Sequence, residues 1–359
     1  MGNGSFEGHS KDSKDNGRRG GKPRRGLAGR ILVFLLLAVL ALAAALVYKL
    51  YSLGFIENLP IVQKTGQGPA ATVTPPPGLE PADGGDTGDQ NEAVGPAEGK
   101  VPIYKREPID PDVVNILVLG LDAREPGGNG RSDINMIVSV NKKKGTVKLA
   151  SILRDTLVPI EGHDWNRLNS AYAFGGPGLS INTVNDAFDL DIQRYVKLDF
   201  YAIKDIINEL GGVDVKLTQA EVTYLRAQGL SVSKGAGMKR LDGDAALAYS
   251  RIRKIDGDFQ RTQRQRNVLT ALLKEARGMG VVQAVGLMTK LLPQVKTNVS
   301  TAEAVSLAKY VLSMGGGETK QMAVPVLGSF EDKKYKGMSI LSVDFKKNTD
   351  ALREFLYGD

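Results

Sequence analysis

The chain has 359 residues, 42% of them apolar and 24% charged, and a net charge of +7. These fractions belong to a globular protein and exclude collagen-like or wholly disordered chains; the length allows about two domains, or one large domain with attachments. With no cysteine and only two histidines, His9 and His163, disulfides, thiolate metal sites and cysteine nucleophiles are excluded, and imidazole-based triads or metal sites are poor readings.

The charge is concentrated at the start. Residues 1–30 carry eight basic and three acidic side chains, a net +5, which leaves +2 of the +7 for everything after. A near-neutral body gives little support to a nucleic-acid partner. Ile31–Tyr48 reads ILVFLLLAVLALAAALVY, eighteen residues without a charge. As a helix it spans roughly 27 Å, close to the ~30 Å hydrocarbon core. The basic flank precedes it, and Tyr48, Lys49 and Tyr51 mark the far interface. The positive-inside rule then gives one transmembrane helix over 31–51, a cytoplasmic tail over 1–30 and an extracellular body. A cleaved signal peptide is the alternative, disfavoured because the apolar run exceeds the usual ~7–15 residues. Residues 52–100 are expected to be an extracellular linker. Its stretch 65–100 is rich in Gly, Pro and acids and lacks apolar periodicity, so burial cannot offset its ordering entropy. As a coil that stretch spans roughly 30–36 Å and holds the body off the membrane.

From residue 101 to 359 the pattern is globular. Val113–Leu119 is a short continuous apolar run, as in a strand covered on both faces, and Ile134–Val140 and Thr146–Ile152 follow as strands joined by a turn. Helical spacing predicts helices over Gly178–Phe188 and Phe200–Leu210, the second stopped by Gly211-Gly212. Val213–Leu217 reads as a strand, Asp244–Tyr249 and Thr262–Arg277 as helices, Val281–Leu292 and Thr301–Ser313 as further helices, and Gln321–Val326 as a late strand. Strands interleaved with helices predict an α/β class: a single three-layer α/β/α domain around a central mixed sheet.

The informative residues sit between these elements. Asp122 and Arg124 follow the first strand, where α/β sheets place ligand-binding groups. Arg131 and Asp133 precede the second strand, and Arg154 follows the third. Arg251, Arg253, Asp258, Arg261, Arg264, Gln265 and Arg266 crowd one later block, with Arg261, Arg264 and Gln265 at i, i+3 and i+4. Guanidinium groups stay charged and present a planar donor fork to phosphate oxygens, so this set suits a polyphosphate. Asp122 and Asp133 could hold Mg²⁺ through oxygen ligands. The plain alternatives are a turn with a surface ion pair at Asp122 and Arg124, and a solvated charged helix over 251–266. Neither a P-loop nor a GxGxxG opening a helix is present, and His163 reads as a loop residue.

The ordered segments NILVLGLDAR, GRSDINMIVSV, LASILRDTLV, RLNSAYAFGG, LDGDAALAYSRIR and DGDFQRTQRQRNVL, with the basic tail and one anchor, resemble the LytR–CpsA–Psr family of bacterial envelope proteins. The likeness covers roughly residues 113–325. It implies an extracytoplasmic domain that binds polyprenyl pyrophosphates and transfers a glycopolymer phosphate from an undecaprenyl carrier to peptidoglycan, joining teichoic acid, capsule or a related polymer to the wall. Residue by residue, it implies metal binding by Asp122 and Asp133. It implies pyrophosphate binding by Arg124, Arg131, Arg154, Arg251, Arg253, Arg261, Arg264 and Gln265, with Asp258 the acidic member of the late block and Asn169 an accessory pocket residue. Leu153 stands where the family has proline, a departure in backbone stiffness and not in charge.

The expected mechanism docks the lipid-linked pyrophosphate on the arginines and one Mg²⁺. A peptidoglycan hydroxyl attacks the glycan-side phosphorus and undecaprenyl phosphate leaves, Arg154 and Arg261 bearing the charge and Asp258 serving as a candidate base. Positioning and charge stabilisation dominate such chemistry, so the site needs neither His nor Cys. A non-catalytic polyprenyl-phosphate-binding regulator and a lipid pyrophosphatase remain as alternatives. Topology puts the arginines outside a single-pass cell membrane, as in a Gram-positive bacterium, so no nucleic-acid partner is expected.

Overall fold

A computed structural model describes residues 57, 59–64, 73–81, 101–121, 130–278, 295–300, 302–304, 306–307, 310 and 319–358. The expected cytoplasmic tail, the transmembrane helix over 31–51 and the helix over 281–292 lie outside the described residues, as does most of 301–313. Among the described residues no helix is long and apolar enough to cross a membrane.

A six-stranded mixed sheet forms the centre. Its strands are β1 (Val113–Leu121), β2 (Ser132–Asn141), β3 (Thr146–Ile152), β4 (Arg194–Asp199), β5 (Val295–Thr297) and β6 (Lys320–Val324). They lie in the order β5-β4-β1-β2-β3-β6. β1–β2–β3 is an antiparallel meander, while β4 pairs parallel with β1 and β6 parallel with β3. The three strands expected over Val113–Leu119, Ile134–Val140 and Thr146–Ile152 are present, and the reason is visible in their burial. Leu117, Leu119 and Leu121 of β1 face one core with Tyr172, Leu179, Val184, Phe188, Leu352 and Leu356. Val114, Ile116 and Val118 face the other with Met136, Leu149, Ile203, Leu247 and Leu269. Residues apolar at every position are needed where helices cover both faces.

The helices are α1 (Leu168–Phe188), α2 (Phe200–Glu209), α3 (Gln219–Ala227), α4 (Gly243–Ser250), α5 (Asp258–Arg277) and α6 (Phe345–Tyr357). α1 consists of two helical segments separated by the non-helical backbone of Gly175 and Gly176; the second, from Pro177, is the helix expected over Gly178–Phe188, and the first, from Leu168, precedes it. Gly178 itself meets the backbone of Val101 so closely that a Cβ would lie 1.8 Å from the Val101 carbonyl oxygen. α5 begins at Asp258, four residues before the expected start, after Gly257 turns the chain at φ 96°; a residue with a Cβ is strained there.

Val213–Leu217 is a strand as expected, but it belongs to a separate hairpin with Gly237–Leu241. That hairpin, α3 and parts of α2, α4 and α5 enclose a second core containing Ile207, Leu225, Ala246 and Val268.

Parts of the stretch 52–100 read as linker belong to the folded body. Ile61–Val62 pairs parallel with Ile103–Tyr104, Leu59 is buried, and the Tyr195 hydroxyl donates to Glu57 Oε2 at 2.6 Å. Glu80 and Pro81 pair with Lys334 and Lys333 of a C-terminal hairpin, Phe330–Tyr335 with Met338–Val343. Two-residue strands are too short to show any periodicity, so composition alone hid them.

Candidate functional site

The site is built where β2 begins and β3 ends. In the β2–β3 ladder Met136 pairs with Ser151 and Asn141 with Thr146. Continuing that antiparallel register past the ladder sets Asp133 opposite Arg154. Their side chains meet: Arg154 Nη1 donates to Asp133 Oδ1 at 2.6 Å. The other oxygen of Asp133 accepts from Arg253 Nη2 at 3.3 Å and lies 3.8 Å from Arg261 Nη1. Arg253 comes from the loop after α4, and Arg261 from the first turn of α5.

Asp258, at the first position of α5, closes the group. Arg261 Nη2 reaches its two oxygens at 2.8 and 2.9 Å, and Arg253 Nε lies at 3.7 Å. Two residues not singled out from the sequence extend it. Asp155 lies 3.4 Å from Arg154 Nε and 3.6 Å from Arg167 Nη1. Their only signal was adjacency, Asp155 beside Arg154 and Arg167 two residues before Asn169. The interconnected groups are thus four guanidiniums and three carboxylates, an excess of one positive charge.

Burial makes these charges matter. The Arg261 side chain is 2% exposed, Asp133 11% and Arg154 14%. Burial pushes the Asp258 carboxyl up to about 6, with Asp155 and Asp133 adding and Arg154 and Arg253 opposing. Burial works against the Arg154 charge, but Asp155 and Asp133 outweigh it and hold its pKa above the ordinary arginine value. Arg261 Nε, Arg154 Nε and Asn169 Oδ1 are buried without a hydrogen-bond partner. The Asn169 amide donates to the Arg154 carbonyl at 3.2 Å, which seats it against the same loop. Buried polar atoms of this kind usually receive a ligand or water. A net-positive, largely desolvated cluster with open donors suits an anion with several oxygens.

The other expected residues fall as follows. Arg131 is half-buried, two residues before Asp133, and Arg251 is an exposed residue that ends α4. Gln265 is buried on α5. Arg264 is not part of the cluster: it engages Glu221 and Asp256. Asp122 and Arg124 lie outside the described residues. As for Mg²⁺, among the described residues no three acidic or imidazole groups gather at one point. Asp133 is the described half of the expected pair. Two hydrogen bonds occupy about half of its roughly four acceptor positions, which leaves Asp133 acceptor capacity that a hard oxygen-seeking ion could use.

The LytR_cpsA_psr family matches residues 87–354. A Bacillus subtilis protein named polyisoprenyl-teichoic acid–peptidoglycan teichoic acid transferase TagT is 34% identical over 238 residues, 63% of this chain and 73% of that protein. A TagU protein of the same transferase description from Bacillus mycoides is 37% identical over 211 residues, 58% of this chain and 66% of its own. Among solved structures, TagT bound to LIIa-WTA matches with a TM-score of 0.58 and 28% identity, covering 70% of this chain and 94% of that one. TagT with bound octaprenyl pyrophosphate lipid matches at 0.54 and 27%, covering 70% and 93%.

Proposed function

This chain belongs to the LytR–CpsA–Psr family, and from that premise we propose that it transfers a glycopolymer phosphate from an undecaprenyl-pyrophosphate carrier to peptidoglycan. The observation that carries the reading is the Asp133–Arg154–Arg253–Arg261–Asp258 group, net positive, open to further acceptor oxygens and buried at Arg261, Asp133 and Arg154, with Arg253 exposed at its rim. The names of the similar proteins, teichoic acid transferases and a structure with octaprenyl pyrophosphate, supply the substrate class.

Arg154, Arg253 and Arg261 bind and orient the pyrophosphate, and Arg124, Arg131, Arg251, Gln265 and Asn169 complete its surroundings. An acceptor sugar hydroxyl attacks the glycan-side phosphorus. A new P–O bond forms, the bridging P–O bond to the lipid phosphate breaks, and the hydroxyl proton passes to Asp258. A carboxylate whose pKa stands near 6 is ionised at neutral pH yet more basic than an ordinary one, as a general base should be. Charge accumulates on the departing undecaprenyl phosphate, where fixed guanidiniums stabilise it without reorganising. Asp122 and Asp133 would hold Mg²⁺, whose charge would neutralise pyrophosphate oxygens. The protein is read as a single-pass cell-membrane protein, its helix over 31–51 and its catalytic domain outside.

Incubating the full chain with lipid-linked glycan, Mg²⁺ and peptidoglycan tests the reading. Release of lipid phosphate together with wall-bound glycan is the expected result. Binding without turnover identifies a non-catalytic regulator, and equal release without acceptor identifies a pyrophosphatase.

A further inference from the structure

Arg253 reaches Asp133 from a loop, 251–257, that has neither strand nor helix to stiffen it. Something else must hold it, and the structure assigns that task to Arg264. Arg264 lies one turn beyond Arg261 on α5, but its partners are different. Its Nε donates to Glu221 Oε1 at 2.7 Å, and its Nη1 to the Ile252 carbonyl at 3.0 Å and Asp256 Oδ1 at 2.8 Å. Nη2 donates to the second oxygen of Asp256.

The contacts grip the loop near both ends. Ile252 stands between Arg251 and Arg253, and Asp256 immediately precedes the Gly257 turn into α5. The grip has a fixed base. Glu221 Oε2 accepts from the Thr218 amide at 2.8 Å in the capping box of α3, and the Arg264 and Glu221 side chains are only 4% and 8% exposed. A buried guanidinium shared between two carboxylates and a carbonyl has little capacity left for phosphate. Turning it toward a ligand would leave Glu221 buried and unpaired.

We infer that Arg264, anchored by Glu221 and Asp256, is a positioning residue that sets Arg253 against Asp133 and Asp258, and is not itself a pyrophosphate ligand. The inference rests on the pyrophosphate reading of that cluster. Its force depends on connection: whatever loosens Asp256 or Arg264 should act through Arg253.

The test is calorimetric titration of the full chain with a water-soluble short-chain prenyl pyrophosphate, geranyl pyrophosphate. Asp256→Asn and Arg264→Lys should each weaken binding roughly tenfold in an otherwise unaltered chain. In an Arg253→Ala background neither change should weaken it further, because the residue they position is gone. Leu225→Ala, in the same second core, is the control for general loosening: it should lower the melting temperature and leave affinity unchanged at 20 °C or so. Unchanged affinity in Asp256→Asn overturns the positioning role. So does a full additional loss from Arg264→Lys in the Arg253→Ala background, which would make Arg264 a direct ligand, and so does an equal loss in Leu225→Ala. Failure of the unaltered protein to bind the probe at all removes the pyrophosphate reading, and the positioning role with it.

Discussion

Asp133 and Arg154, twenty-one residues apart in sequence, meet at 2.6 Å because the β2–β3 register sets them opposite each other. The same carboxylate faces Arg253 and Arg261 on its other side. Asp133 is therefore the hub that keeps three guanidiniums together. It is not a turn residue pointing into solvent, where its loss would leave the rest of the fold intact.

Asp133→Ala should accordingly cost stability as well as function. Removing one partner from a buried ion-pair group costs on the order of 3–5 kcal/mol, since the remaining charges stay desolvated and repel one another. Asp133→Asn keeps an acceptor and should cost less. Urea unfolding of both variants is the measurement. An unchanged midpoint for Asp133→Ala would mean that the arginines hold their places without it.

Charge alone should not replace the arginines. Arg154→Lys and Arg261→Lys keep the positive charge but lose the planar fork, and Arg261 uses that fork to reach Asp258 and Asp133 together. Turnover should fall on the order of 10²–10³-fold, as for loss of a preorganised donor. Lys143→Ala, in the exposed turn between β2 and β3, should be nearly silent. Equal small losses in all three variants would make the cluster an ordinary charged surface.

Acid should switch off catalysis before it unfolds the protein. Asp258 titrates at about 6 in the folded chain against an ordinary 3.8, so kcat/KM should fall as pH drops below about 6. The folded state takes up this proton more readily than the unfolded state. Its contribution to stability is therefore complete below pH ~3.8 and is lost as pH rises through about 6. The unfolding free energy of the unaltered protein, relative to Asp258→Asn, should decline by up to about 3 kcal/mol between pH 4 and 7. A rate profile flat down to pH 5 would exclude Asp258 as the base.

The parts of this molecule that could be read from sequence are those set by local pattern. β1, β2 and β3 are rich in apolar residues because both faces of the sheet are covered. β4 escaped because its six residues RYVKLD form neither a continuous apolar run nor a strict alternation, and the C-terminal hairpin because FEDKKY is mostly polar and partly exposed. At the site, Asp133, Arg154, Arg253, Asp258 and Arg261 stood out as charged groups at element ends, and the structure brings these five together. Arg264 shows where such reading fails. Three residues along a helix is a rotation of about 60° from full register, and for a long side chain that offset is enough to select different partners. One of those partners, Glu221, lies 43 residues away, a distance no local pattern encodes. Asp155 and Arg167 escaped for the same reason, since each matters through a partner and not through its own neighbours.

The membrane arrangement has its own test. We propose, from the basic tail before a single apolar run, that the N-terminus is inside and everything beyond about residue 51 outside. Protease added to intact protoplasts should digest the body while a tag on the first residues stays protected. A body cleaved only after lysis would place the arginine cluster on the wrong side for a lipid-linked wall precursor.

Arg266 gives the last prediction, and its sign is unusual. It is buried on α5, its Nη2 donates to Gln263 Oε1 at 2.6 Å, and its Nε and Nη1 have no hydrogen-bond partner. Burial alone pushes its pKa down to about 10. A cation whose pKa falls on folding weakens the fold at every pH below the folded value, and the cost is relieved only as pH rises through about 10. The depression corresponds to roughly 3 kcal/mol at neutral pH. Replacing a poorly satisfied buried charge with an apolar side chain of similar length is often stabilising by about 1–4 kcal/mol. Arg266→Met should therefore raise the urea midpoint, whereas most buried substitutions lower it. Binding of geranyl pyrophosphate decides what the residue is for. A more stable variant with unchanged affinity marks Arg266 as a dispensable burden on the fold. A more stable variant that has lost affinity shows that its open donors are kept, at the expense of stability, for the ligand.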